Sequence, residues 1–178
     1  MTSKGRVISI VGGVLIGGIF VAGCGFTGIG GGKQIDSLSE DDRKQGCERT
    51  QEHLQDEGFY EDTKRLLCVA TSAASVSIAG GDAAACEAAV STCLKSDSGT
   101  SSGDSCADTS SLSSCPATIS EFEDCIDEQI DAMKEAAAAF DCAAALSGTQ
   151  PPESMAGPAC MALAKKCPDY FSGQGEGT

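Results

Sequence analysis

The sequence has no tryptophan and no asparagine, a single histidine, and 4% aromatic residues. A chain of 178 residues with so few rings must build its core from alanine and short aliphatic side chains, each of which buries little apolar area. Without asparagine there is no N-glycosylation sequon. With one imidazole, His53 in "QEHLQDEG", any thiol or hydroxyl nucleophile has only one ring available as a base. That ring falls on an acidic, polar helix surface and reads as solvated. Positive charge is also scarce: 12 basic residues face 26 acidic ones, for a formal charge of −14. Such a surface repels phosphate backbones, which excludes nucleic acid as a partner. It gives no electrostatic help toward anionic lipid, so membrane attachment must be hydrophobic or covalent.

Close cysteine pairs are missing too. There is no C-x-x-C and no C-x-x-C-H. Zinc sites usually show such pairs, and thioredoxin-like chemistry wants one at a helix start. No serine nucleophile motif, phosphate loop or dinucleotide fingerprint occurs. Asp97, Asp104 and Asp108 do not have the spacing of a calcium loop. These absences point to a non-enzymatic protein with no catalytic residues, no metal, no cofactor and no small-molecule substrate evident.

What the chain does have is 11 cysteines, far above ordinary usage, which indicates an oxidising compartment. Its amino terminus, "MTSKGR", carries Lys4 and Arg6 ahead of an uncharged run from Val7 to Gly23, the anatomy of a secretory signal. The run ends in Val21-Ala22-Gly23-Cys24. This resembles the lipobox of bacterial lipoproteins: an aliphatic residue, two small residues, then cysteine. The resemblance implies lipidation of Cys24 by a diacylglycerol thioether, cleavage before it, and acylation (palmitate being a typical chain) of the new amino group. Several acyl chains on one residue give stable anchoring. Gly25, rather than Asp, follows the cysteine, which by the best-known sorting rule implies the outer membrane over the inner. Cleavage removes Lys4 and Arg6 from the 12 basic residues and takes the formal charge from −14 to −16. It also leaves ten cysteines after Cys24, an even number that can pair completely. An uncleaved span from Val7 to about Ile29 is the competing reading, with Gly13 and Gly17 as a small-residue pair facing a partner helix.

The ten remaining cysteines are spaced in a pattern. Cys68 to Cys86 and Cys142 to Cys160 are 18 residues apart; Cys86 to Cys93 and Cys160 to Cys167 are 7 apart. "ACEAAVSTC" echoes "ACMALAKKC", and the two stretches read as an internal duplication. Strand signals are nearly absent outside the leader. The clearest helix starts at a Thr118/Glu121 capping box, and Ile119, Phe122, Ile126, Ile130, Met133, Ala137 and Phe140 form one apolar stripe on it. Glu121, Asp124, Glu128, Asp131 and Glu135 cover its other face and read as solvated. In the first unit, helices are expected from about Ser37 to Glu57, Tyr60 to Ala79 and Asp82 to Lys95. A short helix is expected from about Glu153 to Cys167.

The expected fold is therefore all-α: a disulfide-stapled helical bundle built from two related helical-hairpin units. Its parts are a signal peptide (1–23), a lipidated cysteine and glycine-rich tether (24–35), helical unit 1 (36–95), a Ser/Gly/Asp-rich linker (96–117), helical unit 2 (118–171) and a tail (172–178). Nested hairpin bonds suggest Cys68–Cys86, Cys142–Cys160, Cys47–Cys93 and Cys125–Cys167, with Cys106–Cys115 inside the linker. The outer pairs require chain bends, because Cys125 lies ~25 Å along a helix from Cys142 while Cys167 lies only ~10 Å from Cys160. Ten cysteines allow about 945 complete pairings, so the map stays open. The functional expectation is a lipid-anchored protein of the bacterial cell envelope with a structural or protein-binding role. Its partners are the membrane, through the N-terminal lipid, and candidate envelope proteins. The alternative is a small extracytoplasmic enzyme or metal-binding protein using His53 with carboxylates or a free cysteine.

Overall fold

A computed structural model describes residues 25–96, 106, 109–150 and 157–172. The expected signal segment, Cys24, the linker aspartates 97, 104 and 108, and residues 173–178 lie outside the described residues. The described chain is an all-α, disulfide-stapled bundle of seven α-helices with two short 3-10 turns.

Capping chemistry sets most of the helix starts. Helix α1 runs Glu40–Asp56; the Ser39 hydroxyl accepts a hydrogen bond from the Asp42 N–H at 3.1 Å, and three acidic residues fill the first turn. Both features suit the exposed amides and positive end of a helix start. Gly58, with φ +76°, turns the chain into α2, Phe59–Ile78. Gly80, with φ +69°, closes α2 and lets α3, Ala83–Lys95, fold back against it. The Asp82 carboxylate caps α3 through the Ala85 N–H. Helix α4, Ile119–Ala139, begins with the full capping box: the Glu121 N–H donates to Thr118 Oγ1, and the Thr118 N–H donates to Glu121 Oε2. The expected continuous helix breaks at Phe140, which is extended and buried. Asp141 then caps a separate five-residue α5, Cys142–Leu146, by accepting from the Ala144 N–H at 2.8 Å. Helix α6, Pro158–Lys166, starts at a proline, and α7, Pro168–Ser172, follows directly.

The apolar stripe of α4 is the floor of the molecule. Ile119, Ile126, Ile130, Met133, Ala137 and Phe140 are all buried. One core cluster joins Ile119 and Cys125 to Ile29, Ile35, Leu38, Ala117 and Leu163. A second, smaller one gathers Ala73, Cys86 and Cys142, with Val76, Val90, Ala145 and Leu146 against it. Among the described residues, the ion pairs Lys166–Glu121 and Lys134–Glu57 and a His53–Asp127 hydrogen bond tie elements at the surface.

All ten cysteines after Cys24 are bonded, but none of the five expected pairs is the observed one. The bonds are Cys47–Cys106, Cys68–Cys93, Cys86–Cys142, Cys115–Cys167 and Cys125–Cys160. The reason is level. In an antiparallel hairpin, residues equally far from the turn face each other. Cys68 lies 12 residues before Gly80 and Cys93 lies 12 after Gly81, so they meet, with Cα atoms 5.7 Å apart. Cys86 is seven residues from Cys93, about 10 Å along α3, and is out of reach of Cys68. It bonds instead to Cys142 on α5, so Cys68–Cys86 and Cys47–Cys93 do not form. Helix α6 packs on α4 with Cys160 level with Cys125, which displaces both Cys142–Cys160 and Cys125–Cys167. Cys106–Cys115 does not form either. The backbone N–H groups of Ile35 and Asp36 donate to the carbonyls of Ala117 and Cys115, which draws Cys115 into the core beside Cys167. The linker is thus bonded to both ends of the fold, and equal cysteine spacings do not become equal bonds in the two halves.

Proteolysis without reduction should yield a Cys68–Cys93 linked peptide pair and no Cys68–Cys86 pair. The double variant C86A/C142A should lose about 2–4 kcal/mol of stability in urea unfolding, as expected for one native bridge. A second expectation concerns pH. The hydrogen bond from Lys166 and those to the Thr118 cap hold the Glu121 carboxyl below its ordinary value. A lowered folded value stabilises above the unfolded pKa of about 4.3 and stops doing so as pH falls through the folded one. Lys166→Ala should therefore lower the unfolding free energy from urea titration slightly at pH 7, by less than about 1 kcal/mol for so exposed a pair, and leave it unchanged at pH 2.

Candidate functional site

The chain enters the described structure at Gly25, one residue past Cys24. A glycine-rich leash was expected there, and the segment is instead fastened to the bundle. Thr27 is almost fully buried at 1% exposure. Its backbone N–H and its hydroxyl both donate to Glu123 Oε1, at 3.0 and 2.7 Å. Ile29 and Ile35 enter the main core cluster. The N–H groups of Ile119 and Ser120 donate to the carbonyls of Lys33 and Gly31, so this strap also supplies acceptors for the first turn of α4. A side chain at Gly25 would run into the Glu123 carboxylate. Glycine there reflects close approach, not slack.

Glu123 was not among the residues singled out from the sequence. The signal was present: it lies four residues after Ile119 and three before Ile126, on the apolar stripe rather than the acidic face. Two residues read as solvated also have tasks. Glu121 completes the capping box and pairs with Lys166. Glu128 Oε2 accepts from the Cys160 N–H at 3.0 Å and so caps α6 from a neighbouring helix. Asp124, Asp131 and Glu135 are exposed, as expected.

His53 sits beside this strap. Its ring stacks on Phe26, with centroids 4.1 Å apart and planes 10° from parallel. Its Nε2 is 2.9 Å from Asp127 Oδ1. One ring nitrogen is thus engaged by a carboxylate and one ring face by a phenyl group, so His53 joins α1, the strap and α4. The structure brings it close to no cysteine sulfur free to act as a nucleophile, because every cysteine after Cys24 is in a disulfide. Among the described residues no group of three or more His, Cys, Asp or Glu side chains is placed to hold a metal ion.

Beneath α1 is a partly open cavity of about 590 Å³. Its walls are mostly apolar, including Ile29, Leu38, Leu54, Phe59, Phe122 and Ile126. Tyr170 also lines it, and burial raises the pKa of that phenol. Helix α1 buries only Gly46 and Thr50 and has no apolar face wide enough to fill the space below it. It is held over the cavity mainly by ties at its ends and edges: Cys47–Cys106, His53–Asp127, Glu57–Lys134 and the hydrogen bond from Arg43 Nη1 to the Leu38 carbonyl.

Compared with protein-family models, curated proteins and solved structures, the chain matches none. Among the described residues, no helix is long and apolar enough to cross a membrane.

Replacing Glu123 with Ala should strip Thr27 of its buried acceptor and cost about 1–3 kcal/mol. Amide exchange should rise first over residues 27–35, while the α2–α3 hairpin keeps its protection.

Proposed function

We propose that this protein is a non-enzymatic, lipid-anchored component of the bacterial cell envelope, with a structural or protein-binding role at the membrane surface. The observation that carries the reading is the junction at Cys24. A lipobox-like Val21-Ala22-Gly23-Cys24 is followed at once by a strap whose Thr27 and Ile29 are buried in the domain. Acyl chains on Cys24 would then hold the strap face against the bilayer, with little play between anchor and fold. The signal-like charge and apolar pattern upstream supports export, and five disulfides accord with an oxidising destination. Outer-membrane sorting rests on Gly25 standing where a retention aspartate would be.

In this reading the surface away from the anchor is the working surface. The chain is strongly acidic overall and exposes the side chains of Leu67 and Ile78 on α2. An acidic surface of this kind suits basic or neutral envelope proteins and disfavours nucleic acid.

The test is the intact mass of protein purified from membranes and alkylated without reduction. The expected mass begins at Cys24, carries acyl chains and shows no alkylated thiol. A mass that includes Met1, or one with alkylated thiols, would overturn the anchor or the fully bridged domain respectively.

A further inference from the structure

One disulfide joins two parts of the wall around the cavity beneath α1. Helix α1 turns a single stripe toward it: Arg43, Gly46, Cys47, Thr50, Gln51 and Leu54, at helical steps of three and four. Thr109, Ser111 and Leu112, which follow Cys106, line it as well. The Cys47–Cys106 bond therefore ties α1 to the stretch that supplies those residues. Packing does little of this work. Leu54 is the only large apolar side chain on the α1 stripe. Among the helices α1 packs chiefly on α2, and much less extensively than α3 does. The His53–Asp127 hydrogen bond and the Glu57–Lys134 ion pair both lie at the carboxyl end of α1, so Cys47 is the covalent hold at its middle.

The same bond is open to attack. Eight of the ten bonded cysteines are buried, and only Cys47 and Cys93 are half-buried. Thiol–disulfide exchange needs access to a sulfur, so it favours Cys47–Cys106 and Cys68–Cys93 over the other three bridges. The two differ in what depends on them. Cys68–Cys93 spans the α2–α3 hairpin, whose helices share the most extensive contact in the fold and stay joined by the Gly80–Gly81 turn. That hairpin stands without its bridge. Cutting Cys47–Cys106 instead removes the covalent closure from a wall that packing leaves thin.

We propose that Cys47–Cys106 is a redox latch: a dithiol reductant opens it ahead of the other four bridges and frees α1 from the cavity, and reoxidation shuts it. A thiolate of the dithiol attacks Cys47 Sγ, and the Cys106 thiolate leaves. The second thiolate of the dithiol then attacks the reductant's own sulfur in the mixed disulfide and expels the Cys47 thiolate. Both cysteines take up the two protons that the dithiol gives up. Two electrons pass to the protein, and the dithiol becomes a disulfide. In the open form Ile29, Phe122 and Ile126, which line the cavity, meet solvent. The closed form is the resting one in an oxidising compartment. The latch is independent of whether Cys24 is acylated.

The experiment uses the full chain, with any free thiol, Cys24 included, blocked by N-ethylmaleimide beforehand. Limiting dithiothreitol is added under native conditions, and samples are alkylated with iodoacetamide over time and mapped by peptide mass. Cys47 and Cys106 should be labelled together, before any other disulfide cysteine. In that species amide exchange over residues 40–56 should rise about tenfold or more, as for a helix passing from packed to locally open. Residues 119–139 should keep their protection. Fluorescence of the apolar-surface dye bis-ANS should rise with reduction and fall again when the unalkylated protein is reoxidised. The double variant C47S/C106S should show the fast α1 exchange and the high dye signal without reductant, with helical circular dichroism retained. If that variant does not fold, labelling of the unaltered chain still decides. Another bridge opening first, all five opening together, or unchanged α1 exchange in protein labelled at Cys47 and Cys106 would each overturn the proposal.

Discussion

The α3–α5 contact is closed by Cys86 and Cys142, and the largest side chain packed against that pair is Leu146. A cluster of this size buries too little area to hold two helices together. The same shortage runs through the molecule, whose core is alanine, cysteine and a handful of isoleucines arranged over α4. Covalent bonds therefore do what apolar burial does elsewhere. The bridges join α2 to α3, α3 to α5, α4 to α6, α1 to the linker, and the linker to the end of α6; two of them lie at the most extensive helix–helix contacts, α2 with α3 and α4 with α6. With few large rings in the core, the sulfur bonds add covalent ties where apolar area is short.

Polar chemistry completes the arrangement at the points the bridges do not reach. Three carboxylates on α4 satisfy amides that would otherwise lack acceptors: Glu121 its own cap, Glu123 the strap and Glu128 the start of α6. Helix α4 thus serves as floor on one side and as acceptor rail along its edges. The strap is held by that rail, so the position of the first residue after Cys24 is a direct consequence of a carboxylate nearly a hundred residues later in the chain.

Some of this was legible beforehand. The α4 stripe and its Thr118/Glu121 box define a helix start by spacing and chemistry alone, and both are present as read. The α2–α3 hairpin could be placed from Gly80 and the flanking periodicity. The disulfide map was not legible, because bonding depends on which residues lie at one level after packing. Cys86 and Cys93 look equivalent on a helical wheel, yet only Cys93 matches the height of Cys68. The strap was misread for a related reason. Glycine content suggests slack, while the deciding residues, Thr27 and Ile29, become informative only once Glu123 and the core cluster are in view. Arg43 gave no sequence signal at all, since one arginine among acidic neighbours resembles any solvated helix residue.

The order of the bridges along the chain has a consequence for how the protein is made. Synthesis proceeds from the amino terminus, and four cysteines after Cys24 have appeared by the time Cys93 emerges. Four thiols allow three connectivities. The native bond uses only Cys68 and Cys93, separated by 25 residues, and leaves Cys47 and Cys86 waiting for partners 59 and 56 residues further on. Any early oxidation that captures Cys47 or Cys86 is a wrong turning that only thiolate attack on the formed bond can undo. The yield of this fold is therefore governed by reshuffling capacity more than by oxidising power, and a cell that makes it in quantity needs an isomerase where it folds.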